Sequence, residues 1–435
     1  MPKLTIQEDY KATGEFVIPE GKSIIGRGPD ANLVLSNHVG VSREHCQLTY
    51  QQGSVLLEDL GSRNGTFLNG KPLMKPTELK HQDYIQIDDV LLIYSSRSQD
   101  ADADALTESH ERLADLGDSR SLSFVKEVTD RLQANIAKVI QGKDDVIRHV
   151  IIALLSDGHV LLEDVPGVGK TKLAQALARS INTDFKRIQF TPDMLPNDIT
   201  GVNIYDESLK KFVFMPGPIF SNVVLADEIN RGTPRVQSSL LECMAESSVT
   251  IDGSSYILHK PFFVIATQNP VEYQGTYPLP EAQLDRFLMR LTMGYPDPET
   301  EKRILESHVE DNPLTSLGAV LEASDLLHCQ ALVRTVYVSA QFRDYLVTLI
   351  NKTRNHPAFA FGCSPRATLA LLRASQALAA MKGRDHVMPR DARDLAICVL
   401  AHRMPLRLQS RSQWSTSAKA LEDILSQMPM SRWES

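Results

Sequence analysis

The sequence lacks the segments that would place a protein in a membrane or outside the cell. None of its 435 residues belongs to an apolar run that approaches the roughly 20 residues of a membrane-spanning helix. The first residues have neither the basic start nor the apolar run of a secretory signal. The five cysteines are far apart and form no C-x-x-C pair, which favours free thiols over disulfides or a zinc site. We therefore expect a cytoplasmic protein without a membrane span.

The sequence also has no excess of positive charge. It contains 46 lysines and arginines against 54 aspartates and glutamates, which gives a formal net charge of −8. This balance disfavours nucleic acid as a partner and disfavours broad attraction to an anionic membrane, although it leaves room for a local basic patch. At roughly 150 residues per domain, a chain of this length should contain about two to four domains.

Residues 1–96 are rich in short apolar runs and in turn signals. Runs such as Ser23–Ile25, Cys46–Tyr50 and Val90–Tyr94 are separated by turn clusters such as Gly28-Pro29-Asp30. Regularly spaced short strands with such turns between them predict an all-β sandwich.

Residues 97–122 differ in composition from both neighbouring regions. They contain few large apolar side chains and a cluster of acids, Asp100, Asp102 and Asp104. Such a segment cannot bury enough apolar surface to offset the entropy lost on ordering, so we predict a flexible acidic linker.

From residue 123 onward, strand patterns alternate with helical periodicity. His159–Leu162, Asn222–Ala226 and Pro261–Ala266 have the composition of buried strands, and Lys172–Ile181 has the spacing of a helix. This β–α–β alternation predicts an α/β core with a mostly parallel sheet over residues 123–297.

The apolar spacing from residue 298 to residue 435 is helical throughout. Ala340–Asn351, Arg366–Met381 and Pro389–Leu400 are examples. We therefore predict a multidomain chain in which the β-sandwich is followed by the α/β core and then by an all-α lid.

The most specific local pattern is a glycine-rich turn between a predicted strand and a predicted helix. The backbone N–H groups of such a turn and of the helix N-terminus can cradle phosphates, and this leaves no room for side chains at the glycines. Lys170 would reach the β- and γ-phosphates, and the Thr171 hydroxyl would hold Mg²⁺. Asp164 stands where the generic motif has a glycine. The predicted nucleotide-binding residues of the turn are Pro166, Gly167, Val168, Gly169, Lys170 and Thr171.

Two further apolar runs end in polar side chains. The run Val223–Ala226 ends in Asp227 and Glu228. Asp227 would hold Mg²⁺ through water, and Glu228 would orient or deprotonate the attacking water. The next run leads to Asn269, which could reach between the γ-phosphate and that water. An asparagine before a proline is also an ordinary turn former, and the pattern leaves this alternative open.

Five segments together point to a family. They are LLEDVPGVGKT at Leu161–Thr171, LADEINR at Leu225–Arg231, ATQNP at Ala266–Pro270, LPEAQLDRFL at Leu279–Leu288, and Ser364-Pro365-Arg366. With these segments in this order, residues 124–405 resemble the MoxR group of AAA+ ATPases, in which an aspartate at position 164 is common. The resemblance implies an ATPase with ATP and Mg²⁺ as ligands. It also implies that Asn269 is sensor 1, that Arg286 is an arginine finger directed across a subunit boundary, and that Arg366 is sensor 2.

The same resemblance implies partners and insertions. A finger supplied by a neighbour requires a ring, usually a hexamer, and MoxR relatives often work with a von Willebrand A-type partner. Asp198–Phe214 and Ser248–His259 would be insertions that face the pore or a client, the second as a hairpin. From the residues alone, Arg286 could instead pair with Asp285 on the surface, and Arg366 could be a helix-start arginine without a ligand.

The sandwich carries a second pattern. The segments are Gly26-Arg27, Ser42-Arg43-Glu44-His45, Gly61–Thr66 and Asn69-Gly70, and they resemble the forkhead-associated (FHA) domain, whose loops bind phosphothreonine. Position by position, Arg27, Ser42 and Arg63 would contact the phosphate, Arg43 would assist, and Asn64 would hold the peptide backbone. Arginines and a hydroxyl that converge on loops of a rigid sandwich suit phosphate capture.

Two functions from different classes follow from these patterns. The first is an ATP-hydrolysing chaperone or remodelling ATPase that its FHA domain recruits to a phosphothreonine-bearing protein. The second is a phosphopeptide-binding scaffold in which the nucleotide acts as a slow switch. Glu228 and Arg286 favour the first, because a pure switch needs neither. A DNA-remodelling role is disfavoured by the acidic balance.

Overall fold

A computed structural model describes most of the chain as two compact units. The described residues are 2–8, 11–35, 41–51, 53–63, 65–68, 71–73, 75–79, 83–87, 90–95, 122–206, 211–251, 254–269, 276–310 and 313–428. The first unit comprises Met1–Gly117 with Asp252–Ile257, and the second comprises the remainder. The predicted linker at 97–122 lies outside the described residues except for Leu122, where a helix begins.

The described residues up to Ser95 form two packed sheets. Their strands are β1 (Lys3–Glu8), β2 (Lys11–Val17), β3 (Gly21–Gly26), β4 (Leu33–Val34), β5 (Cys46–Gln51), β6 (Ser54–Asp59), β7 (Phe67–Leu68), β8 (Lys71–Pro72), β9 (Thr77–Glu78), β10 (Tyr84–Ile87) and β11 (Val90–Ser95). Ile25, Leu48, Leu57, Ile85 and Leu92 are fully buried, because successive residues of a strand alternate between the core and the outer face. The predicted all-β sandwich is confirmed. One sheet has the strand order β2-β1-β11-β10-β7-β8, and the other has the order β4-β3-β5-β6-β9.

A five-stranded parallel sheet organises the α/β core. Its strands are β12 (Val160–Glu163), β13 (Phe185–Gln189), β16 (Val223–Asp227), β19 (Phe263–Gln268) and β20 (Met289–Leu291), in the spatial order β13-β16-β19-β12-β20. The core helices are α1 (Leu122–Ala137), α2 (Asp144–Leu155), α3 (Lys170–Ser180), α4 (Asn197–Thr200), α5 (Pro234–Glu246) and α6 (Glu281–Leu284). The predicted parallel sheet is confirmed.

The central strands are continuous apolar runs because both faces of the sheet are covered. Every residue of Val223–Asp227 is buried, as is every residue of Phe263–Thr267. The observed strands extend slightly further toward their carboxyl ends than predicted. Polar terminal residues continue the pairing there, as Glu163 does with Gln268 and Gln189 does with Asp227.

Two small antiparallel sheets correspond to the predicted insertions. The first joins β14 (Gly201–Asp206) and β15 (Lys211–Pro216), and it places Ile204, Tyr205 and Phe212 in solvent. The second joins β17 (Ser248–Ile251) and β18 (Ser254–Ile257), which confirms the predicted hairpin, while its expected turn at 252–253 lies outside the described residues. Contact of either insertion with a pore or a client stays a prediction.

The described residues from Pro298 to Met428 form helices joined by loops, which confirms the predicted lid architecture. The helix Pro365–Met381 buries alanines such as Ala367, Ala374 and Ala377 on one face, and these small side chains let neighbouring helices approach closely. All five cysteines are free, as expected, and four of them are buried. Within the described ranges, no helix is both long and apolar enough to cross a bilayer. The helices are α7 (Pro298–Glu310), α8 (Ala323–Arg334), α9 (Ala340–Asn355), α10 (Pro365–Met381), α11 (Pro389–Leu400) and α12 (Ser417–Ser426).

Candidate functional site

The carboxyl ends of β12, β16 and β19 meet at one edge of the parallel sheet. Because these strands are neighbours in register, Asp164, Asp227 and Asn269, which lie at or just after the ends of these strands, are brought together. The N–H of Asp164 donates to the carbonyl of Gln268 at 3.1 Å, which fixes the first residue of the glycine-rich turn against β19. Ligands of open parallel sheets bind at this edge.

The glycine-rich turn has the backbone geometry of a phosphate-binding loop. Gly167 and Gly169 have φ values of 87° and 98°, a left-handed region that glycine adopts without steric cost. No atom lies within 4 Å of a Cβ built on Gly167, so conformation rather than crowding requires glycine there. The turn leads directly into α3, whose first N–H groups can bind an anion. Half-buried Thr171 lies in the first turn of α3.

Lys170 bonds back to the loop that it follows. Its Nζ donates to the carbonyls of Asp164 at 2.8 Å and Val165 at 3.2 Å. Burial lowers the pKa of Lys170, while Asp164, Asp227 and Glu228 act in the opposite direction. The ammonium group therefore lies among the carboxylates of the site, where a polyphosphate could compete for it.

Asp164 explains why this chain departs from the generic glycine motif. Its carboxylate is buried and accepts hydrogen bonds from the N–H groups of Val165 at 2.9 Å, Met293 at 2.6 Å and Gly294 at 2.6 Å. Met293 and Gly294 follow β20 on the way to α7. A glycine at position 164 could not make these contacts, so the aspartate ties the phosphate loop to the segment that leaves the core.

Asp227 is held by two side chains that the sequence analysis did not select. Its Oδ2 accepts from Nε and Nη2 of Arg187 at 3.0 and 2.6 Å, and its Oδ1 accepts from the Thr267 hydroxyl at 2.6 Å. Arg187 lies on β13, the edge strand beside β16. The alternation of Arg187, buried Ile188 and Gln189 was the available signal, but it equally fits a solvent-facing edge strand.

Glu228 occupies a strained position at the end of β16. Its φ of 56° is in the left-handed region, which side-chain-bearing residues rarely adopt. Its N–H donates to the Thr267 hydroxyl at 2.8 Å. Its Oε2 accepts from Gln189 Nε2 at 2.8 Å and Arg231 Nη1 at 3.0 Å. Thr267 therefore bonds to both acidic residues, and Gln189 and Arg231 restrain the carboxylate that is predicted to act on water.

Asn269 is buried at the end of β19, at the predicted edge of the sheet. Its carbonyl accepts from Asn230 Nδ2 at 3.3 Å, which links it to the segment after Glu228. The structure thus brings the predicted loop residues, Asp227, Glu228 and Asn269 into one cluster.

The two predicted arginines lie outside this cluster. Arg286 donates from Nη1 to the carbonyl of Leu241 on α5, and no contact within the described residues joins it to the phosphate loop. Arg366 is exposed at the second position of α10, whose N-cap Ser364 accepts from the N–H of Ala367. Whether either arginine acts on a nucleotide stays a prediction.

The alternative surface pair of Asp285 with Arg286 is not formed. Asp285 is instead bound by Arg403, which follows α11 and was missed by the sequence analysis. Arg403 Nη1 donates to Asp285 Oδ1 at 2.5 Å, and its Nη2 donates to the carbonyl of Phe287 at 2.8 Å. Its side chain is only 3% exposed. This buried ion pair fastens the segment around Arg286 to the lid.

The predicted phosphate-binding loops of the sandwich are joined through their backbones. The N–H of Arg27 donates to the carbonyl of Ser42 at 2.9 Å, and the N–H of Arg63 donates to the Ser42 hydroxyl at 3.1 Å. A Cβ on Gly26 would lie 2.2 Å from the carbonyl oxygen of Arg43, so only glycine permits this approach. The structure thus brings Arg27, Ser42, Arg43 and Arg63 together, while Asn64 lies outside the described residues.

His45 holds two of these loops in place. Its Nδ1 accepts the N–H of Ser42 at 3.1 Å, so its Nε2 carries the proton and donates to the carbonyl of Gly65 at 3.2 Å. Asp59 shapes the second loop. Burial would raise the pKa of Asp59, but hydrogen bonds from Ser62, Thr66 and Gly61 outweigh burial and lower it.

The guanidinium groups of this region are open. Arg27, Arg43 and Arg63 are exposed, and none has a side-chain hydrogen bond or ion pair among the described residues. Three cationic groups on adjoining loops with a neighbouring hydroxyl can bind an anion such as a phosphoryl group.

Comparison with known proteins matches both units to known domain families. Residues 159–289 match the ATPase family associated with various cellular activities (AAA), and residues 351–424 match the AAA lid domain. Residues 23–88 match the FHA domain. The chain is 40% identical over 299 residues to the chaperone MoxR1 of Mycobacterium tuberculosis, covering 67% of this chain and 79% of the relative. The chain belongs to the MoxR family of AAA+ ATPases. The predicted membership and the predicted FHA domain are confirmed.

Two other matches cover the same share of the molecule or slightly more. The uncharacterised protein YeaC of Bacillus subtilis is 49% identical over 292 residues, which is 67% of this chain and 91% of that protein. A crystal structure of a candidate ATPase from Cytophaga hutchinsonii is 35% identical with a TM-score of 0.66, covering 74% of this chain and 98% of the other. As a member of this ATPase family, the MoxR-type unit is a nucleotide-binding unit.

Proposed function

We propose that this chain is an ATP-hydrolysing chaperone or remodelling ATPase, recruited by its FHA domain to proteins that carry phosphothreonine. The observation that supports hydrolysis, rather than binding alone, is Glu228. Its carboxylate lies beside Asp227 at the phosphate edge of the sheet, and its backbone strain is maintained by the bond to Thr267. Strain of this kind is concentrated at functional sites.

The residues of the site suit a magnesium nucleotide. The Thr171 hydroxyl and the Asp227 carboxylate are hard oxygen donors of the type that Mg²⁺ prefers. The metal ion would neutralise charge on the phosphates. The loop N–H groups and Lys170 bind the phosphates, Glu228 orients water or accepts its proton, and Asn269 positions that water.

The transition state requires further positive charge at the γ-phosphoryl group. We assign this role to Arg366 of the same chain and to Arg286 of a neighbouring subunit, because a guanidinium neutralises phosphoryl oxygens bidentately. This assignment entails a ring, for which a hexamer is the expected size. A von Willebrand A-type partner is part of the same proposal.

The test is steady-state ATP turnover by the full chain, compared with Glu228→Gln. We expect turnover to fall by about 10²–10⁴-fold, the usual contribution of a general base. Nucleotide affinity, measured separately, should change little because the variant keeps the size of the side chain. Equal turnover in both proteins would favour the alternative, a phosphopeptide scaffold with a slow nucleotide switch.

A further inference from the structure

Arg187 forms an ion pair with Asp227, the carboxylate that is predicted to hold Mg²⁺. Its positive charge balances this carboxylate when no metal ion is bound. It lies on β13 beside β16, and Gln189 is in register with Asp227. Residues two apart on a strand share a face, so Arg187 and Gln189 both lie on the face of Asp227. Arg187 directs two nitrogens to a single oxygen, Oδ2, at 3.0 and 2.6 Å.

The surroundings of this pair allow Arg187 to leave while Asp227 stays. The Asp227 side chain is 11% exposed, whereas that of Arg187 is 48% exposed and has access to water. Long cationic side chains can move their charged ends into solvent at small cost. The other carboxylate oxygen of Asp227 remains fixed by the Thr267 hydroxyl at 2.6 Å.

The pair is also connected to Glu228. Arg187 Nη2 donates to Gln189 Oε1 at 2.6 Å, and Gln189 Nε2 donates to Glu228 Oε2 at 2.8 Å. A single chain of hydrogen bonds therefore runs from the carboxylate predicted to hold Mg²⁺ to the carboxylate predicted to act on water. Movement of Arg187 would remove one of the contacts that orient Gln189.

We propose that Arg187 is a positioning residue that competes with Mg²⁺ for Asp227 and thereby sets the metal affinity of the site. This inference rests on the proposed nucleotide site. A carboxylate offers about four lone-pair directions, and Arg187 and Thr267 use three of them. Two cations at one carboxylate also repel each other. Metal binding would then displace the guanidinium and loosen Gln189 from Glu228, which removes one of the two contacts that restrain this carboxylate and leaves the contact from Arg231.

The experiment measures the Mg²⁺ concentration that half-saturates the full chain with a fluorescent ADP analogue, starting from a metal-free solution with a chelator. Arg187→Met keeps much of the apolar stem and removes the charge. We expect its half-saturating Mg²⁺ concentration to fall by about tenfold, the effect of one partly screened charge. Arg187→Lys keeps the charge and should lie between wild type and Arg187→Met.

Lys186→Met is the matched control, because it removes one positive charge from the adjacent exposed position, on the opposite face of β13. It should leave the Mg²⁺ dependence unchanged. Unchanged or weaker metal affinity in Arg187→Met would overturn the proposal and make Arg187 a support for Asp227. If wild type binds the analogue without any Mg²⁺ dependence, the proposed magnesium site fails with it. If wild type depends on Mg²⁺ and only the Arg187→Met shift is missing, this inference alone fails.

Discussion

The loop arginines of the sandwich differ from two arginines of the ATPase unit in whether their side chains have partners. In the sandwich, Arg27, Arg43 and Arg63 point into solvent without a side-chain partner among the described residues. In the ATPase unit, Arg187 and Arg403 are each bound to a carboxylate. Exposed cations without a partner are available to an anionic ligand, and their substitution should change stability little. Cations that are paired with a carboxylate hold that carboxylate in place, and a ligand that binds the same carboxylate must displace them.

The largest expected effect comes from breaking the more buried of these two pairs, Arg403 with Asp285. Arg403→Met leaves the Asp285 carboxylate and several carbonyls without a donor, so the ATPase unit should lose about 3–5 kcal/mol of stability. Thermal unfolding of the full chain measures the change. Arg27→Met serves as the control, because an exposed arginine without a partner should change stability little. Equal shifts in the two variants would contradict the contrast between open and paired arginines.

The second effect concerns binding instead of stability. Arg27→Ala should weaken binding of a phosphothreonine peptide by about 100-fold, since a charge-assisted contact to phosphate is lost. Fluorescence anisotropy with a labelled peptide measures the affinity, and the unphosphorylated peptide is the control ligand. Unfolding should occur at the wild-type temperature. Equal peptide affinity in Arg27→Ala and wild type would refute the assignment of this pocket.

The smallest expected effect comes from removing the hydrogen bonds that join Thr267 to Asp227 and Glu228, a network that can be weakened without removing a charge. Thr267→Val keeps the shape of the side chain but removes the hydroxyl that contacts Asp227 and Glu228. We expect the free energy of unfolding to fall by about 1–3 kcal/mol, because buried polar groups lose their hydrogen-bond partner. ATP turnover should fall as well, since the strained backbone of Glu228 is no longer held. Thr267→Ser restores the hydroxyl, and a valine variant as active as this serine variant would argue against the role of the network.

The parts of the site that could be predicted are those that are local in sequence. The phosphate loop and the acidic pair at the end of β16 each lie within one short segment, and each loop arginine of the sandwich lies in a short turn segment of its own. Arg187, Thr267 and Arg403 could not be found in this way. Thr267 and Arg187 lie 40 residues from Asp227, and Arg403 lies 118 residues from Asp285. Their partners depend on which strands and helices become neighbours, and a single sequence does not specify that order.

The fold was predictable for a related reason. Continuous apolar runs indicated strands covered on both faces, and regularly spaced short apolar runs separated by turn signals indicated the sandwich. The observed shifts at strand ends arise where polar residues such as Glu163 and Asp227 still pair with a neighbour. Hydropathy alone ends a strand too early at such positions, which are also the positions that carry the chemistry.

Asp164 has a consequence for engineering. A designer who placed the glycine of the generic phosphate-loop motif at this position would delete three hydrogen bonds and leave the amides of Met293 and Gly294 without their shared acceptor. The substitution would therefore remove the hydrogen bonds that connect the phosphate loop to the segment between β20 and α7. At this position, agreement with the generic motif is a poor guide, because the aspartate that departs from it forms the connection.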